Sequence, residues 1–310
     1  MTDNGHVLVI GGTGMLGGQV VSELLGRGKR VRALVRPTSD AKRLESNGVE
    51  IARGDMMDPA SLLQAMDGAD AVVSTAAGYT RHSKGDTDEI DIIGNQNLAD
   101  AARRAGVNRF VLTSILTCDQ TPQVPHFWHK KLAEDRLEEL DVPFVALRPG
   151  GFLEMIITQM GGDPFSKRRL MWFGSPTIPL SFVLTQDLAG YLADAVDAPG
   201  VDGQRIDIGW DRPVSMEKIA QISGRLLGEK IRLWSIPAPL INTAGAVVGK
   251  FNPMIKDMTA MMRWFQTGQY VADTTRQREV FGQVPTAEDA IGRLIRSLEH
   301  TVTAEASPGT

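Results

Sequence analysis

Residues His6-Val7-Leu8-Val9-Ile10-Gly11-Gly12-Thr13-Gly14-Met15-Leu16-Gly17 decide how the rest of the chain is read. A short run rich in Val, Leu and Ile ends at glycines, the pattern of a buried parallel strand. From Met15 to Arg27 the apolar residues Leu16, Val20, Val21, Leu24 and Leu25 recur at helical spacing. The glycines between strand and helix fit G-x-x-G-x-x-G. Gly11 permits the tight turn, Gly14 lets an anion approach the backbone, and Gly17 lets the helix pack close to the strand. An anionic pyrophosphate then sits on the open amides and positive end of the helix. The strand–turn–helix context separates this motif from a chance glycine cluster.

The same alternation runs outward. Strands are expected at 31–35, 49–51, 71–74, 109–113 and 142–147, with helices at 41–46, 59–66, 88–105 and 125–140 between them. Asp58 is the expected N-cap of the third helix and Pro59 its first residue. Six strands joined by helices predict an α/β, Rossmann-type doubly wound parallel sheet. After Arg148-Pro149 the rhythm changes. Residues 150–180 show no clear period, 185–196 and 215–227 read as helices, and 204–208 reads as a strand returning to the sheet. Thr286 and Asp289 resemble a capping box opening a helix over 286–298. The expected organisation is a nucleotide-binding domain over 1–150, its sheet completed by about 181–210. A smaller C-terminal substrate lobe takes 151–180 and 211–303, and 304–310 form a disordered tail.

Composition narrows the function classes. Of the 310 residues, 42% are hydrophobic and 23% charged, and the net charge of −4 argues against direct binding of nucleic acid. Cys118 is the single cysteine, so an intrachain disulfide and a multi-thiolate metal site are excluded, and a cytoplasmic location is expected. The N-terminus has no secretory pattern. The longest weakly polar run, near 238–248, is too short to span a membrane, and no membrane partner is expected. No metal-ligand spacing, G-x-S-x-G elbow or P-loop is present.

The end of the second strand discriminates between cofactors. An NAD-binding protein places an acid there for the ribose hydroxyls. This chain has Arg36, with Arg32 and Lys42 nearby, so NADP(H) is preferred over NAD(H): a cation suits a 2′-phosphate. An ordinary solvated charge is the plainer reading of Arg36. Asp55, after the third strand, has either an adenine amino group or its own turn to bond, and Met56 is placed to pack on the ring. Ala76, Ala77 and Gly78 close the fourth strand with small residues that leave room for a ligand.

Gly11–Gly17, Leu34-Val35-Arg36, Gly54-Asp55, Lys130…Glu134 and Leu147-Arg148-Pro149-Gly150-Gly151-Phe152 together resemble the atypical short-chain dehydrogenase/reductase superfamily, in particular its NmrA-like branch. The resemblance runs over roughly Val7 to Leu298. It implies a Rossmann domain with a small substrate lobe, and either NADPH-dependent reduction of quinones and phenolics or NADP(H) binding without turnover. Its expected cofactor contacts are Gly11, Thr13, Gly14, Met15, Leu16, Gly17, Arg36, Asp55, Met56, Ala76, Ala77, Gly78, Thr113, Lys130, Pro149, Gly150 and Phe152.

The superfamily's catalytic pair is Tyr-x-x-x-Lys, on one helical face. Lys130 matches the Lys and Glu134 the acid of this branch, but His126 stands at the Tyr position. The usual Ser/Thr aligns with Ile115, beside Ser114 and Thr117. Histidine titrates near neutrality, which makes His126 a candidate general acid; a helix-start histidine without chemistry is the plainer reading. Tyr79, Arg81 and His82, after the fourth strand, border the same region and offer a proton donor; a mobile polar loop is the plainer reading. Met254, Met258, Met261, Met262, Trp264 and Phe265 form an apolar stripe, read as lobe core or as a wall for a flat substrate. Phe127, Trp128, Trp172 and Phe173 line a cleft or simply pack. The expected function is an NADPH-dependent reductase of quinone- or enone-like molecules. A non-catalytic NADP(H) sensor is the alternative, and the sequence does not decide between monomer and homodimer.

Overall fold

The structure, a computed structural model, describes residues 5–78, 87–159, 167–249, 252–282 and 284–305. The chain opens as β1 (His6–Ile10), α1 (Met15–Gly26), β2 (Val31–Val35), α2 (Lys42–Ser46), β3 (Glu50–Arg53), α3 (Pro59–Met66) and β4 (Ala69–Ser74). A π-helix, Thr87–Gly94, leads into α4 (Asn95–Ala105), followed by β5 (Arg109–Thr113), α5 (Pro125–Glu139) and β6 (Phe144–Pro149). Next come β7 (Gly151–Phe152), α6 (Leu153–Gln159), β8 (Arg169–Phe173), β9 (Phe182–Val183), α7 (Thr185–Asp194), β10 (Gln204–Ile208) and α8 (Met216–Leu227). The remainder is β11 (Arg232–Ile236), α9 (Ala238–Val248), α10 (Pro253–Phe265), α11 (Thr275–Phe281) and α12 (Ala287–Glu305).

Seven strands form one sheet in the order β10-β6-β5-β4-β1-β2-β3. The pairs β1–β2, β2–β3, β1–β4, β4–β5 and β5–β6 are all parallel. The order reverses between β1 and β4, which makes the ends of those two strands the switch point where such sheets bind ligands. Every residue of β1 and β6 is buried, as helices on both faces require. On one face α1 buries Val20, Val21 and Leu24. A core of Leu8, Ile10, Leu62, Val72, Leu98, Phe110, Leu112 and Phe144 packs together. Each fully buried Leu or Phe of this kind contributes roughly 1.5–3 kcal/mol. As expected, Asp58 caps α3, its side chain accepting from the Ala60 amide at 3.0 Å, and Pro59 sits in the first turn.

The chain separates into two compact units. One comprises Met1–Arg148, Thr185–Asp207 and Glu279–Phe281; the other Pro149–Leu184, Ile208–Arg278 and Gly282–Thr310. The second unit holds two small parallel sheets, β8–β11 and β7–β9. Its interior includes Leu170, Trp172, Phe182, Trp210, Ile219, Trp264, Phe265 and Ile291. Ser215 caps α8, accepting from the Lys218 amide at 3.1 Å, and the Thr286–Asp289 cap opens α12, with the Asp289 amide donating to Thr286 Oγ1 at 3.1 Å. No described helix is long and apolar enough to cross a membrane.

Several expectations change. The helix expected over 88–105 is π-wound in its first part, and there the Asn95 amide side chain donates to the Asp91 carbonyl at 3.0 Å. Residues 150–180 contain β7, α6 and β8, elements too short to impose a period. Helix α12 runs on to Glu305, so residues 304 and 305 of the expected tail are helical, while 306–310 lie outside the described residues.

Candidate functional site

At the switch point, Gly11 adopts φ +86°, the left-handed region that glycine occupies without penalty. A Cβ on Gly17 would stand 2.1 Å from the Gly11 carbonyl oxygen and 2.8 Å from Thr75 Oγ1, so the start of α1 packs directly on the ends of β1 and β4. A Cβ on Gly14 would meet only the Gly11 oxygen, at 3.3 Å, and Thr13, Gly14 and Met15 are exposed. Gly14 is the N-cap of α1; no side chain caps the helix and its first turn holds no acid. The turn therefore presents uncapped amides and a positive helix end to solvent, a site for an anion.

The ends of β2 and β3 add cations. The exposed guanidinium of Arg36 pairs with no acid among the described residues. Arg53, opposite Val35 in the register, donates from Nη1 to the carbonyls of Arg36 at 3.2 Å and Ser39 at 2.8 Å, bracing this turn. Arg53 belongs to no motif, and its position at the end of β3 is its one signal in the sequence. Arg32 does not belong to this group. It is consumed by Glu50, 2.8 Å away, and by the carbonyls of Ala65 and Asp67 at 2.9 and 2.8 Å. Lys42 is exposed. Asp55 uses Oδ1 to accept from the Met57 amide at 2.9 Å, a turn bond, and Met56 is buried in the core against Gly94.

At the ends of β4 and β5, the Lys130 ammonium is buried. It donates to the Ala76 carbonyl at 2.8 Å and lies 3.6 Å from Asp91 Oδ1. Asp91, also buried, accepts the Gly78 amide on both oxygens at 3.1 Å. The small-residue strand end at 76–78 is thus clamped by α5 and the π-helix. Thr113 Oγ1 is buried and has no hydrogen-bond partner among the described residues. His126, one turn before Lys130, is buried edge-on to Phe127, their ring centroids 4.7 Å apart. Phe127 is buried and Trp128 half-buried; Ile115, at the Ser/Thr position, is half-buried and carries no hydroxyl.

Beneath Lys130 lies an ionic cluster that the sequence reading found only in part. Glu134 is fully enclosed. It accepts from Ser114 Oγ at 2.6 Å, from Arg148 Nε at 2.9 Å and Nη2 at 2.6 Å, and from Arg205 Nε at 3.1 Å. Arg148 also reaches Asp119 at 2.8 Å, and Arg205 reaches Glu138 at 2.7 Å. Burial alone would lower the Arg148 guanidinium, but its bonds to Glu134 and Asp119 hold it well above its ordinary value. Arg205 in turn holds the exposed Glu138 carboxyl below its ordinary value. Burial, reinforced by Glu134, pushes the Cys118 thiol up to about 12. Ser114 is therefore committed to Glu134.

Other candidates fall in the second unit. A Cβ on Gly150 would be 2.5 Å from the Ser181 carbonyl oxygen, the Pro149 carbonyl accepts from Tyr270 at 3.4 Å, and Phe152 pairs with Val183 in β7–β9. Within α10, Trp264 and Phe265 are buried, Met254, Met261 and Met262 half-buried and Met258 exposed; Trp172 is buried and Phe173 half-buried. Tyr79, Arg81 and His82 lie outside the described residues.

The chain is 29% identical over 236 residues to the photosystem II assembly factor Ycf39 of Synechocystis sp., covering 76% of this chain and 72% of that protein. It is 25% identical over 231 residues to the NAD(P)H azoreductase of Xenophilus azovorans, covering 74% and 77%. Its fold matches an NADPH-dependent quinone oxidoreductase of Escherichia coli solved with NADPH, at a TM-score of 0.74 and 19% identity, over 96% of this chain and 99% of that one. The model of the NmrA-like family matches residues 3–307, and the chain belongs to that family.

Proposed function

We propose that this protein binds NADP(H), in preference to NAD(H), along the edge running from the 11–17 turn to Arg36, and uses it to reduce a flat, conjugated, quinone- or enone-like molecule. One observation carries the reading. The uncapped start of α1 and the unpaired Arg36 guanidinium lie at the ends of adjacent parallel strands, where a pyrophosphate and a 2′-phosphate are separately matched. The chain's residues fit such a group. Gly14 is exposed and a Cβ there would meet no side chain, and among the described residues the buried Thr113 hydroxyl has no partner. The fold shared with an NADPH-bound oxidoreductase and the sequence kinship with an NAD(P)H azoreductase support the same cofactor.

When bound, the dinucleotide supplies the hydride; the protein positions it and excludes water. Lys130 is held by a hydrogen bond to the Ala76 carbonyl and by the nearby Asp91 charge, which leaves donor capacity on its ammonium for a ribose hydroxyl. A quinone accepts hydride with little help from a protein acid, so histidine in place of tyrosine is compatible with that substrate class. Reduction of a simple ketone demands the missing acid.

A second reading, NADP(H) sensing without turnover, is favoured by the geometry of Ser114, the hydroxyl nearest the superfamily's Ser position, which is bound to Glu134. Kinship with an assembly factor points the same way. The deciding experiment follows NADPH oxidation over a panel of quinones and enones, with cofactor binding read by fluorescence in the same sample. Turnover that Lys130→Met abolishes establishes the reductase. Tight binding without turnover across the panel favours the sensor, and absence of binding overturns both.

A further inference from the structure

The β8–β11 sheet of the second unit has an inner face of Leu170 and Trp172, both buried. Its outer face is built from register pairs: Arg232 beside Arg169, Trp234 beside Met171, and Ile236 beside Phe173. Trp234 is 65% exposed and Met171 37%. A side chain as large as tryptophan is seldom left so open without a partner. The two arginines are cross-strand neighbours of like charge, an arrangement that costs stability unless an anion relieves it. Neither has an acidic partner among the described residues, and Glu229 is paired with Arg168.

What continues from this face identifies the occupant. Residues 233–249 contain no charged side chain. They form the rest of β11 and α9, on which Leu240 is 63% and Val248 43% exposed. Cations at the margin of an exposed, uncharged, tryptophan-bearing surface match a plane of phosphates lying over hydrocarbon. An acidic peptide would call for cations distributed along the surface instead. Helix α9 has 11 residues, too few to span a bilayer and enough to lie along one.

We propose that this face, centred on Trp234 and Met171 with Arg169 and Arg232 at its edge, together with the exposed Leu240 of the α9 segment that follows it in the chain, docks on an anionic membrane surface, which revises the expectation of no membrane partner. The test is flotation of the full chain with vesicles of phosphatidylcholine, with and without phosphatidylglycerol. The protein floats with the anionic vesicles, and added salt weakens this. Arg169→Gln and Arg232→Gln each reduce binding about fivefold. Trp234→Ser with Leu240→Ser reduces it by roughly tenfold or more. These residues are exposed, so the variants melt as the parent does; should the serine variant melt lower, the two arginine variants carry the test alone. Absence of flotation, or flotation indifferent to the variants, overturns the proposal. So does a Trp234→Ser effect confined to self-association in sedimentation, which would assign the face to a second copy of the chain.

Discussion

Glu134 and Arg148 meet through two hydrogen bonds, Nε to Oε1 at 2.9 Å and Nη2 to Oε2 at 2.6 Å, with the carboxylate fully enclosed. The pair ties α5, which carries Lys130, to the end of β6. Ser114 and Arg205 add further bonds to the carboxylate. Removing one partner strands the other charge in a site that cannot solvate it. Glu134→Ala should therefore cost about 3–5 kcal/mol, read from the denaturant midpoint. Replacing both residues by apolar ones of similar volume should cost much less than the single change. Unchanged stability in Glu134→Ala, accompanied by lost cofactor affinity, would assign Glu134 to the ligand instead.

The Gly11–Gly17 turn was legible because its chemistry is local: each glycine answers a steric demand within a few residues. Arg32 and Arg36 show where that ends. Arg32 stands near the start of β2 and Arg36 just past its end, and only the fold reveals that Glu50, Ala65 and Asp67 use up the first and leave the second. Glu134 was visible through family resemblance, but its partners Arg148 and Arg205 lie 14 and 71 residues away, beyond any periodicity. Strands β8 and β11 went unseen because Met171 and Trp234 put apolar residues on the outer face and erased the alternation that marks a strand.

Cys118 should be inert while the protein is folded. Burial and the neighbouring Glu134 push its thiol up to about 12, so almost no thiolate exists at neutral pH. A disulfide-exchange reagent should release its chromophore only after denaturant is added. Rapid native-state labelling would show that the 114–118 segment opens readily.

Gly17→Ala and Gly190→Ala form a matched pair. At Gly17 the new methyl would collide with the Gly11 carbonyl, and a loss of about 1–3 kcal/mol is expected, with weaker cofactor binding as the turn shifts. Gly190, inside α7, has nothing within 4 Å of an added Cβ, so alanine there should stabilise by about 0.5–1 kcal/mol. Equal effects at the two sites would contradict the packing of α1 on β1 and β4.

His6 gives the fold a pH dependence. Burial, aided by Arg32, lowers its pKa from the ordinary 6.5. Below 6.5 the unfolded chain takes up a proton that the folded chain resists, so stability is complete above that value and falls as the pH drops toward the depressed one. Melting temperatures measured on either side of 6.5 should show this slope, and His6→Asn should flatten it. An unchanged slope would place the titration elsewhere.

Arg36 and Arg53 separate a phosphate contact from the support beneath it. If Arg36 holds a 2′-phosphate, Arg36→Ala removes charge-assisted bonds worth about 1.5–3 kcal/mol, weakening NADPH roughly tenfold to a hundredfold and leaving NADH nearly unchanged. Arg53 donates to the carbonyls of Arg36 and Ser39, so Arg53→Ala should loosen the turn and weaken NADPH by a smaller factor. Arg53→Lys should restore little, because one ammonium cannot reproduce the guanidinium's fixed geometry. Titrations of both cofactors against the variants decide the matter. Parallel losses of NADPH and NADH in Arg36→Ala would remove the basis for an NADP preference and leave the glycine turn as the only assigned part of the site.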